Sequence, residues 1–170
     1  MRLFIAINFT EATKSRLLAL RDELRCRSQR GNFSKPENLH LTVAFLGECE
    51  AKMTAAAKKA MDSPHFEPFS FSIDRIGCFR RRGGELWWAG VRECKELTVF
   101  QRELSGTLAA AGFEPEAREY KAHITLGREI ITGEAPWEIE PFEETVTAID
   151  LMKSERIAGK LTHTSIHRRV

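Results

Sequence analysis

Asn38-Leu39-His40-Leu41-Thr42-Val43-Ala44-Phe45-Leu46-Gly47 carries a His-x-Thr string inside an apolar, β-prone run. About half a chain length later Ala122-His123-Ile124-Thr125-Leu126-Gly127-Arg128 repeats it. Side chains in a strand alternate faces with a period of two. His40, Thr42 and Ala44 are therefore expected on one face, with Leu39, Leu41 and Val43 on the other. In the second string His123, Thr125 and Gly127 share a face, with Ile124 and Leu126 opposite. Each string thus reads as a reactive face of histidine, threonine and a small residue, backed by an apolar face that packs into a core. The small third residue leaves space for a ligand. Two such strings, one per half, suggest half-sites that meet across a cleft. Two facing histidines form an acid–base pair, and two threonine hydroxyls beside them can hold an oxyanion. The arrangement suits cleavage of a phosphodiester without a metal. Two histidines are also common zinc ligands, but no Cys, Asp or Glu repeats nearby at ligand spacing and Thr binds zinc poorly, so no metal is expected.

The residue three beyond each Thr is Phe45 in the first half and Arg128 in the second. An aromatic face and a guanidinium plane are the two protein surfaces on which a nucleobase commonly stacks. Strict alternation points both away from the histidines, so a base-stacking role requires a bend or bulge at the strand end. The competing reading makes Phe45 a core residue and Arg128 a surface ion-pair partner.

The remaining sequence is ordinary for one compact domain of 170 residues: 42% hydrophobic, 29% charged, net charge +2. No whole-protein field marks a general nucleic-acid binder, although basic residues cluster at Arg25/Arg27/Arg30, Arg80-Arg81-Arg82 and His167-Arg168-Arg169. Cys26, Cys49, Cys78 and Cys94 form no CxxC, which suits free thiols in a reducing cytosol. Leu3-Phe4-Ile5-Ala6-Ile7 reads as a buried first strand and not as a signal peptide.

Strand and helix signals alternate. Residues Arg2 to Phe9 are β-rich, and Thr10 is placed to cap a helix over Glu11 to Arg25 with a stripe of Leu17, Leu18, Leu20 and Leu24. Gly31 to Asn38 is expected to be a loop, Leu39 to Leu46 the first motif strand, and Ala51 to Met61 a helix. Phe69, Phe71 and Ile73 alternate as a half-buried strand, followed by a basic connection from Phe79 to Gly84 and a strand from Glu85 to Val91. Leu97, Phe100, Leu104 and Leu108 space a further helix that Gly112 closes. Arg118 to Glu129 is the second motif strand, and Thr145 to Met152 and Lys160 to His167 are late strands. The order strand–helix–motif strand occurs twice, which suggests that residues 1–170 are one domain with an internal duplication and one motif per half.

These residues resemble the two-histidine phosphoesterase superfamily, and within it the RNA 2′,3′-cyclic phosphodiesterases, historically called 2′–5′ RNA ligases. The resemblance covers most of the chain: Arg2 to Ile7, both motif segments, Leu86-Trp87-Trp88-Ala89-Gly90-Val91, and the late Leu151-Met152-Lys153-Ser154 with Gly159. Ala122 stands where members often have Pro, and His163 lies near a position where they often have Tyr. The resemblance implies an α+β, bilobal fold with two pseudo-symmetric lobes, each an antiparallel sheet with flanking helices, around a central cleft. It implies hydrolysis of an RNA or nucleotide 2′,3′-cyclic phosphate to a 2′-phosphomonoester, with no cofactor, His40 as proton donor and His123 as proton acceptor. Thr42 and Thr125 would assist, and Phe45 and Arg128 would bind substrate. The expected partner is an RNA with a cyclic phosphate end or a small cyclic nucleotide, handled by a cytoplasmic monomer. Weak reversible 2′–5′ ligation would use the same groups. Other readings keep the chemistry on an ADP-ribose cyclic phosphate, or make the chain a non-catalytic RNA-end binding module.

Overall fold

A computed structural model describes residues 1–170. It is an α+β structure of two antiparallel sheets and three α-helices. The chain runs β1 (Arg2–Ile7), α1 (Glu11–Cys26), β2 (Ser28–Phe33), a 3-10 turn (Pro36–Asn38), β3 (Leu41–Glu48), α2 (Ala51–Asp62), β4 (Phe69–Phe79) and β5 (Glu85–Val91). It continues with α3 (Lys95–Ala110), β6 (His123–Thr132), β7 (Trp137–Val146), β8 (Ile149–Ile157) and β9 (Lys160–Arg169). One sheet has the order β3-β1-β8-β9 and the other β2-β6-β5-β4-β7. Each motif strand lies beside the strand that precedes its helix: β3 against β1, β6 against β5. The halves also exchange strands, since β4 joins the sheet of β5 and β8 joins that of β1.

The first strand is apolar throughout because both of its faces are covered. Leu3, Ile5 and Ile7 enter the main core, while Phe4 and Ala6 form a small cluster with Met152 on the other face. In β5, Trp87, Ala89 and Val91 enter the same core as Leu41 and Val43 of β3 and Ile124 and Leu126 of β6. That single core also takes Leu97, Phe100, Leu104 and Leu108, the whole expected stripe of α3. In α1 the stripe is narrower: Leu17 and Leu24 are buried, and Leu18 and Leu20 only partly. No helix is long and apolar enough to cross a membrane.

Thr10 caps α1 as expected, its Oγ1 accepting from the Thr13 amide. Glu144 of β7 completes the cap from the other half of the chain. Its buried carboxylate accepts from the Thr10 amide at 2.9 Å and from the Thr145 amide at 3.1 Å. Glu144→Ala leaves the Thr10 amide without its acceptor and is expected to cost about 1–3 kcal/mol. A urea unfolding midpoint equal to wild type would show that solvent replaces the carboxylate.

Five expected element assignments are corrected. Ser28–Phe33 is a strand paired with β6, where a loop was expected from Gly31; Ser-Gln-Arg-Gly-Asn-Phe has no apolar alternation to announce it. The expected strand Thr145–Met152 breaks after Val146, and its two parts lie in different sheets. Trp137–Val146, read as no element, is the edge strand β7 and contains Pro141, which an edge tolerates. The second motif strand begins at His123 and not Arg118, and the first at Leu41 and not Leu39.

Candidate active site

The 3-10 turn delivers the chain into β3 so that His40 stands at the strand's entrance. Its Nδ1–H donates to the Asn38 carbonyl at 2.7 Å. Asn38 is itself held by its Nδ2, which donates to the Leu161 carbonyl of β9 at 3.1 Å. At the entrance of β6, His123 Nδ1–H donates to the Lys121 carbonyl at 2.6 Å, again two residues back. Both imidazoles are therefore locked in the same tautomer, with Nε2 left for chemistry. His40 Nε2 accepts from the Thr42 hydroxyl at 3.0 Å, a bond without a counterpart between His123 and Thr125. Tyr120 ties the two motif segments together by donating from its hydroxyl to the Thr42 carbonyl at 2.8 Å.

Each histidine stands among aromatic rings. His40 lies 4.8 Å from the Phe4 ring of β1, and His123 lies 5.1 Å from Phe79 and 6.2 Å from Trp88. Gly77 lets Trp88 lie flat across the sheet, because a Cβ there would run into the indole ring. The sequence reasoning missed this floor, and it missed a third imidazole. His163 of β9 meets His40 edge-on at 5.3 Å, with a buried Nδ1 that has no partner. Its position near the expected family tyrosine was the only signal.

Matched β-bulges decide the rest of the site. Ile5 pairs with Ala44 and Ala6 with Thr42, so Val43 is an extra residue in β3. Trp87 pairs with Gly127 and Trp88 with Thr125, so Leu126 is the extra residue in β6. Both bulges fall three residues after the histidine. Each reverses the alternation beyond it. Ala44 and Gly127 consequently pack toward the core side, contrary to the expectation that they line the ligand space. At Gly127 a Cβ would run into the Ile130 side chain. Phe45 emerges on the face of Phe4, 6.4 Å from its ring and 54% exposed, so it is not a core residue. Arg128 has no carboxylate partner, and its positive charge disfavours protonation of both His40 and His123.

Burial lowers all three imidazoles, and positive charge adds to it at His40 and His123. Burial above all pushes His40 down to about 4, against the opposing pull of the Asn38 carbonyl; His163, Arg128 and His123 add to the depression. Burial likewise lowers His123, helped by Arg128 and Arg81 and opposed by the Lys121 carbonyl and Glu116. His163 is lowered by burial alone. All three are neutral at pH 7 in the free protein.

A stability prediction follows from His40. The unfolded chain takes up its proton near pH 6.5, whereas folded His40 resists until about 4. Between these values the unfolded state binds more protons, so stability is full above pH 6.5 and falls as pH drops toward 4. His40→Phe is expected to flatten this acid slope in urea unfolding measured at pH 7 and pH 5. Parallel slopes for variant and wild type would refute it.

The chain matches the model of the LigT-like phosphoesterase family over residues 7–88. An RNA 2′,3′-cyclic phosphodiesterase of Archaeoglobus fulgidus is 33% identical over 129 residues, which cover 75% of this chain and 72% of that protein. The chain belongs to the two-histidine, LigT-like phosphoesterases. A Thermotoga maritima protein of the same description is 34% identical over 131 residues, covering 75% of this chain and 70% of its own length. The crystal structure of Escherichia coli LigT complexed with 3′-AMP has a TM-score of 0.85 to this chain at 26% identity, covering 99% of this chain and 96% of that one. The two-sheet α+β architecture is therefore that of LigT throughout, beyond the segment that the family model matches.

Proposed function

We propose that this LigT-like phosphoesterase hydrolyses the 2′,3′-cyclic phosphate at the end of an RNA or nucleotide to a 2′-phosphomonoester. The observation that carries the reading is the matched pair of imidazoles, held in one tautomer by carbonyls two residues back, with Nε2 of each left for chemistry. Relatives described as RNA 2′,3′-cyclic phosphodiesterases support it, as does the 3′-AMP complex of LigT, a ribonucleotide phosphate on the same fold.

In this mechanism a water attacks phosphorus while His123 Nε2 accepts its proton. The P–O3′ bond breaks, and the departing oxygen takes a proton from His40 Nε2. Thr42 and Thr125 donate to the non-bridging oxygens, where charge builds. Phe45 and Arg128 hold the nucleotide. Free His40 is neutral, so it must gain its proton together with the anionic substrate. The phosphate's negative charge raises the histidine toward its ordinary value, and the Thr42 hydroxyl is then released from Nε2 to the phosphate. Binding of a nucleotide phosphate accordingly takes up a proton and tightens as pH falls from 7 toward 6. Replacing water by a 5′-hydroxyl gives the reverse-type reaction, 2′–5′ joining, as a minor activity. Both half-sites lie in one chain, so a monomer suffices, and the matching order of strands around each motif supports an origin by duplication.

The test is incubation with a short RNA ending in a 2′,3′-cyclic phosphate, in EDTA, followed by mapping of the product phosphate. A 2′-phosphate, lost in both His40→Ala and His123→Ala, is the expected result. A 3′-phosphate would exchange the two histidine roles. Binding without turnover in the wild type would make the chain an RNA-end binding module instead.

A further inference from the structure

The three basic clusters have different fates in the fold. In the first, Arg27 pairs with Glu23 and Glu134, and Arg25 covers the Phe33 ring. In the last, Arg168 reaches the buried Asp150, His167 pairs with Asp62, and Arg169 donates to the Met61 carbonyl. Arg80-Arg81-Arg82, in the β4–β5 hairpin, forms no ion pair with any carboxylate. The hairpin is also the cluster that adjoins the candidate site. The Arg81 guanidinium lies 5.4 Å over the Phe79 ring, and Phe79 in turn meets His123 edge-on at 5.1 Å. Arg81 is exposed, and its charge is felt by both His123 and Arg128. The Arg81 guanidinium donates only to the Arg80 carbonyl, and two guanidiniums without a carboxylate partner thus act on one imidazole. A mononucleoside cyclic phosphate carries a single anionic group, and Arg128 with the threonines already serves it.

We propose that Arg81 binds the next phosphate upstream in an RNA strand whose cyclic end lies between His40 and His123, so that the β4–β5 hairpin makes the site selective for oligonucleotides over mononucleotides. This rests on the cyclic phosphodiesterase reading and adds to it the substrate class. Phe79 carries the guanidinium beside His123, where it meets the backbone of the strand and not a base edge. The contact is therefore blind to the identity of the upstream base.

The experiment compares wild type and Arg81→Gln on a dinucleotide and a mononucleoside, each ending in a 2′,3′-cyclic phosphate. The ratio of their kcat/KM values is the readout, so that any general effect of Arg81 on His123 cancels. Arg81→Gln is expected to lower the dinucleotide-to-mononucleotide ratio roughly tenfold, the worth of one charge-assisted hydrogen bond. The salt dependence of dinucleotide KM should lose a slope of about 0.7 for the missing phosphate contact. The loss should be equal for purine and pyrimidine upstream bases. An unchanged ratio overturns the proposal. So does a loss confined to one base. Fluorescence-anisotropy binding of a short 3′-phosphorylated RNA runs alongside. If wild type turned over neither substrate, the cyclic phosphodiesterase reading would fail, and equal RNA affinities of wild type and Arg81→Gln would then refute the hairpin contact on its own.

Discussion

His123→Ala is expected to lower kcat for a 2′,3′-cyclic phosphate by about 10²–10⁴, and His40→Ala by a similar factor. The double variant should lose far less than the product of the two. Once either proton transfer is missing the concerted path is gone, and the survivor has little to assist. The two single variants differ in the kind of substrate that rescues them. An aryl phosphodiester has a leaving group that departs without a proton. His40→Ala should therefore regain most of its rate on such a substrate, whereas His123→Ala should not. The opposite pattern would make His123 the acid. That comparison has weight because the free protein does not favour His40 for the role: burial beside His163 drives it down to about 4. The proposed roles need the substrate's charge to restore the proton. Following the imidazole resonances with and without a bound nucleotide phosphate should show His40 rising on binding. A value that stays near 4 would sink the assignment.

Thr42→Val and Thr125→Val are expected to lower kcat by about 10²–10³ each, with KM moving much less. Valine keeps the β-branched shape and suits a strand, so both variants should fold. Their effects on the histidines should not match. The Thr42 hydroxyl donates to the neutral Nε2 of His40 at 3.0 Å, so its removal takes a hydrogen-bond partner from that ring. Thr125 makes no such bond, and its removal should leave His123 where it was. A loss appearing only in KM, equal for both variants, would show that the hydroxyls bind the ground state and do not meet charge developing at phosphorus.

Much of this fold was legible in the sequence because its signals are local. The stripe of α3 from Leu97 to Leu108, the Thr10 cap, the alternation from Phe69 to Ile73 and the paired His-x-Thr strings each announce themselves within a few residues. Polar β2 and proline-bearing β7 did not, since an edge strand owes its place to a partner elsewhere in the chain. The histidines and threonines were visible as a repeated pattern. Their aromatic floor of Phe4, Phe79 and Trp88, the Tyr120 tie and the His163 contact were not, because those contacts join segments far apart in sequence.

Residues Phe45 and Arg128 mark the boundary between the two kinds of information. Their types and spacing stand in the sequence, but alternation alone turns both away from the histidines. Only the pairing of β3 with β1 and of β6 with β5 inserts Val43 and Leu126 as bulges, which turns Ala44 and Gly127 toward the core and Phe45 and Arg128 toward the cleft. A side chain's period follows from its own backbone. Its face depends on the register that the whole sheet selects by burying Leu3, Ile5, Trp87 and Ala89 in one core.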